Sequence, residues 1–225
     1  MTGGPGEERP HRPPTAVDRR NDVLKGETMT KIAILAAVAA LGLSAAAPIT
    51  AKAAEPAAEG IMKYAINKPS TAWSVYGAGQ TSAPVKDKAV TGGAGVRIQV
   101  TAPSPDEPWE NSAGQGVDGK ITKGDVITIA FWAKAEPVDG GPPTANLSSV
   151  GVQQTTSPWG GIVGGSVAVT SGEWKLYTVS GRASMDAEKG AAGVGVHLGS
   201  AKQTVVLGPL FVLDFGPNYD PSMAR

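Results

Sequence analysis

Residues Asp125–Ala135 read DVITIAFWAKA. Ile127, Ile129, Phe131 and Ala133 fall on one side of an extended chain, and Thr128, Ala130, Trp132 and Lys134 on the other. A period of two, rich in β-branched and aromatic residues, marks a strand, and its apolar side belongs against a core. The same pattern recurs on either side. It is found in GVRIQVTA (95–102), EWKLYTVSGRA (173–183), GVGVHLG (193–199) and TVVLGPLFVLDFG (204–216), with Gly, Pro and Asp between the runs. In 193–199, Val194, Val196 and Leu198 make the core side, and His197 projects from the other among glycines. No window sustains a 3.6-residue period over ten residues, and RASMDAEKGAA (182–192) accommodates one helical turn at most. Eight to ten such runs without a crossover helix predict an all-β fold, an antiparallel two-sheet β-sandwich or jelly roll, over residues 61–220.

The first sixty residues read differently. Residues 1–28 are polar and Pro/Gly-rich, a composition of disorder or of a misassigned start, with Met29 the expected initiator. Residues 29–53 have the plan of a signal peptide: Lys31, an apolar run from Ile32 to Ala47, then Ala51-Lys52-Ala53 as the small-x-small cleavage site. The run is shorter than a membrane span requires. Export to periplasm or medium after cleavage near Ala53 is therefore expected, with residues 54–60 a spacer and no membrane span in the mature chain. The segment before Ala54 holds seven of the 20 basic and five of the 20 acidic residues, which leaves 13 and 15 in the mature part. That balance offers no basic stripe for phosphates, so nucleic acid is not an expected partner. With no cysteine in the chain, disulfides and thiol nucleophiles are excluded.

Most enzyme signatures are missing. The mature part has one histidine, His197, and there is no G-x-S-x-G elbow, no G-x-G-x-x-G opening a helix and no phosphate-binding G-x-x-x-x-G-K-[ST] loop. A zinc or copper site built on two or three histidines is ruled out with them. Glycoside hydrolysis needs only two carboxylates, and the enzymatic alternative, a glycoside hydrolase or lyase on the same sandwich, would draw on carboxylates such as Glu110 or Glu173. The residues that do stand out are flat aromatics and planar polar groups, which suit the apolar faces and the hydroxyls of sugar rings. They are Trp109, Trp132 and Trp159 with Asn111, Gln115, His197 and Gln203. No catalytic residue and no cofactor is assigned.

Three segments in order carry a resemblance: KGDVITIAFWAKA (123–135), EWK (173–175) and HLGSAKQTVVLGP (197–209). The chain resembles carbohydrate-binding modules of the family 4/9 type, the jelly rolls appended to xylanases and other secreted glycosidases. The resemblance implies a β-sandwich that holds a β-linked poly- or oligosaccharide in a groove on one sheet without cleaving it. By that analogy Trp109 and Gln115 on one strand, and His197 and Gln203 on another, line the groove. Such modules often carry a structural calcium away from it, with Asp214 near the position of the ion. Gly208-Pro209 replaces the usual acid-Asn step, so calcium is not assigned. A third reading is an envelope protein-interaction domain with Trp132 covered by another chain.

Overall fold

In a computed structural model the chain is described over residues 60–224, so the expectations for residues 1–59 lie outside the described residues. Ten strands are present: β1 Ser74–Tyr76, β2 Gln80–Lys86, β3 Ala94–Val100, β4 Ser112–Val117, β5 Val126–Glu136, β6 Ala145–Gln154, β7 Gly161–Val169, β8 Lys175–Arg182, β9 Ala192–His197 and β10 Gln203–Asp214. They form two five-stranded sheets, a front sheet ordered β1-β4-β9-β6-β7 and a back sheet ordered β2-β3-β10-β5-β8, with every pairing antiparallel. This is the predicted β-sandwich.

The period-two pattern packs as read. Ile127, Ile129, Phe131 and Ala133 of β5 are fully buried and face Val150, Val152, Val194 and Val196 of the front sheet across one core. The side chains of these two inner faces are removed from water on folding, which is the main stabilising term of such a sandwich. The edge where β7 meets β8 closes tightly. A Cβ on Gly165 would stand 3.3 Å from Val179 Cγ1, and one on Gly181 would stand 3.2 Å from Val163 Cγ1, so glycine on both strands permits the approach.

The opposite side is closed by residues 64–73. Tyr64–Ser70 runs antiparallel to the second half of β10, where Ile66 N–H donates to Val212 O (2.9 Å) and Asp214 N–H to Tyr64 O (2.8 Å). The buried amide of Asn67 completes this pairing, donating to Leu210 O and accepting from Val212 N–H. Trp73 then crosses to the front sheet, its Nε1–H donating to Gly208 O (2.8 Å) at the bulge in β10. Residues 182–192 contain no helical turn. Instead, Ser184 and Ala187 tie an extended crossing segment to Ile162 and Ile121.

Among the described residues no helix is long and apolar enough to cross a membrane. No group of three or more His, Asp or Glu among them is placed to hold a metal ion.

Candidate functional site

The outward side of the front sheet is nearly bare. Ser74, Gly114, Gly195, Gly151 and Gly164 stand side by side across all five strands. The next row holds Gly116, Gly193, Gln153 and Gly161. Seven glycines thus lie on this face, and four of them, Gly114, Gly116, Gly193 and Gly195, floor a trough. The depression has a volume of about 280 Å³ and is bordered by Tyr76 at one edge and by Gln154, Thr155 and Trp159 at the other. Its lining holds no charged residue.

Both aromatics on the border are presented to solvent, Tyr76 at 52% and Trp159 at 59% exposure. Tyr76 lies opposite Ser112, and the buried Gln80 fastens the pair by donating to the carbonyls of both Tyr76 (2.6 Å) and Ser112 (2.8 Å). Trp159 sits in the β6–β7 connection with φ of +60°. For a bulky L-residue the left-handed region costs about 1–2 kcal/mol. Its N–H donates to Thr156 O (2.9 Å) within the connection while the indole stays exposed. The loop is closed at its base, where Gln154 N–H donates to Gly160 O (3.0 Å) and Gly160 N–H donates to Gln154 Oε1 (3.2 Å).

His197 projects from this same face, between Ser112 and Ser149 and two residues along β9 from Gly195. Partial burial holds its pKa below the ordinary 6.5, so at neutral pH it is an uncharged imidazole with one donor and one acceptor.

The structure disperses the other expected site residues. Trp109 lies in the 3-10 turn Pro108–Glu110, outside any strand, and is 52% exposed. It stands beyond the His197 end of the trough, with its carbonyl accepting from Ser112 Oγ (2.8 Å). Asn111, 1% exposed, donates to Ala102 O (3.2 Å) behind a separate depression of about 480 Å³ beside Gly79 and Glu110. Gln115 borders the trough on β4 yet is in phase with Ala113 and Val117, and its amide donates to Ser70 O (3.0 Å) on the crossing segment. Gln203, 2% exposed at the start of β10, spends its amide on Asn146 and Leu198.

Trp132 belongs to the outward side of the back sheet, opposite Leu176. There it packs with Val90 and Trp174 over Gly208, so it and His197 lie on different sheets. The expected constellation therefore reduces to Gln115 and Trp159 in the lining of the trough and His197 on the same face, joined by Tyr76 and Gln153. Those two were legible in alternation: Tyr76 is two residues from Ser74 and out of phase with Trp73 and Val75, and Gln153 is out of phase with Val150 and Val152.

No protein-family model matches the chain, and no curated protein matches it. Solved structures are similar to it. One is a CBM4 structure, 17% identical over 63% of this chain and 94% of that one, at a TM-score of 0.47. Another is the CBM22-1 xylan-binding domain from Paenibacillus barcinonensis Xyn10C, 17% identical over 67% and 91%, at 0.42. A third is the second N-terminal cellulose-binding domain of Cellulomonas fimi β-1,4-glucanase C, 19% identical over 67% and 90%, at 0.45.

Proposed function

We propose that this domain binds an uncharged glycan chain, without cleaving it, in the trough between Tyr76 and Trp159. The observation that carries this reading is the pairing of two exposed aromatic platforms across a floor without side chains. A sugar ring buries an apolar face on an aromatic ring, and a floor of backbone lets the chain lie flat across the strands. Gln153 and the neutral imidazole of His197 supply planar donors and acceptors for hydroxyls at the margin. The lining lacks Asp and Glu, which leaves the trough without a general acid for glycosidic cleavage and favours a neutral ligand. The signal-peptide plan of residues 29–53 supports export, to be checked by finding Ala54 at the amino terminus of secreted protein.

Titration of the protein with xylo-, cello- and laminari-oligosaccharides, followed by tryptophan fluorescence, tests the binding reading. A saturable change for one series is expected, lost in Trp159→Ala and in Tyr76→Ala but retained in Trp132→Phe. Equal loss in all three variants, or no change with any glycan, removes the trough from consideration.

A further inference from the structure

The Trp159 loop rests on one side chain from outside the front sheet. A Cβ built on Gly160 would stand 3.0 Å from Met185 Cε, 3.2 Å from Met185 Sδ and 2.9 Å from Gln154 Oε1. The residue beside the strained tryptophan therefore lies flush against the Met185 thioether and has no room to settle further. Met185 itself stands on a fixed support. Ser184 N–H donates to Ile162 O (3.1 Å) and Ser184 Oγ to Gly161 O (2.9 Å), which ties the preceding residue to the start of β7. On the other side, Asp186 Oδ1 accepts from Lys123 N–H (2.8 Å) and Ala187 exchanges both backbone bonds with Ile121 at 2.9 Å. The side chain packs on the core yet stays half-buried.

We infer that Met185 is the positioning residue that sets the Trp159 platform from beneath, and that oxidation of its thioether unseats the platform and weakens the trough's hold on its ligand. This rests on the glycan reading above and adds to it a means of regulation at the same site. The reaction is oxygen transfer from a peroxide. The sulfur lone pair attacks one peroxide oxygen, the S–O bond forms as the O–O bond breaks, and the proton on the transferred oxygen passes to the displaced hydroxide, which leaves as water. The thioether is oxidised by two electrons and the peroxide reduced by two. The sulfoxide adds a polar oxygen where the Gly160 backbone already makes contact, so the loop has to move outward.

The test compares the full chain with Met185→Leu, which keeps an apolar side chain of similar volume and cannot form a sulfoxide. Met62 and Met223, the latter 53% exposed in the C-terminal turn, remain in both as internal controls for oxidation elsewhere. Each protein is treated with hydrogen peroxide and the Met185 sulfoxide is quantified by peptide mass. The Trp159 indole and Gly160 amide resonances are then recorded, and xylohexaose or cellohexaose is titrated. In the native protein the two resonances shift and affinity falls at least about tenfold, the scale of one lost aromatic contact. Met185→Leu shows neither effect, while untreated Met185→Ala reproduces the shift. Unmoved resonances at full Met185 oxidation, or an equal loss of affinity in Met185→Leu, overturn the inference. If no hexaose binds either protein the glycan reading fails by itself, and the two resonances still decide the positioning role.

Discussion

A glutamine amide offers the same donor and acceptor as a peptide group, and Gln203 uses it as one. Its Oε1 accepts from Asn146 N–H (2.6 Å), and its Nε2 donates to Asn146 O (3.0 Å) and Leu198 O (2.6 Å). One buried side chain from the back sheet thereby joins the ends of β6 and β9 in the front sheet. Replacing it strands several buried backbone groups, so Gln203→Ala is expected to lower stability by about 2–4 kcal/mol, measured by urea unfolding, with oligosaccharide affinity at saturating fold unchanged. Asp87 is a second determinant at this scale. The Lys134 ammonium and the Trp174 indole N–H, both on its Oδ2, lower its pKa from 3.8 to about 2. A carboxylate whose folded pKa is depressed stabilises above the unfolded value and loses that contribution as pH falls through the folded one. An acid titration of tryptophan fluorescence should therefore show a step between about pH 4 and 2 that Asp87→Asn removes. Residue roles were the least legible part of the chain. Gln115 was in phase with Ala113 and Val117 yet borders the trough. For Gln203 and Asn111 no alternation separates a latch on backbone from a ligand contact, because both uses need the same amide.

At the scale of elements, the strands of the front sheet combine two demands that pull apart. Val150, Val152, Val194 and Val196 fill the core, while the alternate positions are stripped to glycine, which weakens a strand by about 0.5–1 kcal/mol per residue relative to alanine. The cost is accepted where the outer face must stay open. Gly116 is the clearest case, since a Cβ there meets nothing within 4 Å. Gly116→Val is expected to fold with an unchanged or higher melting temperature and to lose most oligosaccharide binding, a pairing of outcomes that calorimetry on the free and ligand-mixed protein distinguishes. Gly114 behaves otherwise: a Cβ there would stand 2.8 Å from Val194 O, so Gly114→Val should also destabilise. The strands themselves were readable from alternation in β5, β9 and β10. The bare outer face was not, because its glycines come from four strands and it becomes a single surface only through the register that pairs them.

For the whole molecule the order of the strands decides how it comes apart. The chain passes between sheets repeatedly, with β1, β4, β6, β7 and β9 in front and β2, β3, β5, β8 and β10 behind. Each sheet is thus assembled from segments separated by segments of the other, and neither has an inner face without its partner. Far-UV circular dichroism and tryptophan fluorescence should follow the same urea transition, and Trp73→Ala, which removes a buried ring and its bond to Gly208, should shift both together by about 3–5 kcal/mol. Two separated transitions would instead mean that one sheet survives alone. The pairing of Tyr64–Ser70 with β10 has a mechanical consequence. Residues 64 and 214 are hydrogen-bonded neighbours at one end of this seam, and beyond Asp214 the chain is tied down again, with Phe215 N–H donating to Val126 O (2.9 Å) and Arg182 donating to Pro217 O (2.8 Å) and Tyr219 O (3.2 Å). Tension between Tyr64 and the chain after Tyr219 loads the bonds of Arg182 and Val126 to residues 215–219 first, then the Tyr64–Asp214 bond and those toward Ser70 and Leu210 in turn. The seam opens like a zip under low force, whereas a pull directed along the strands would have to shear all of its bonds at once.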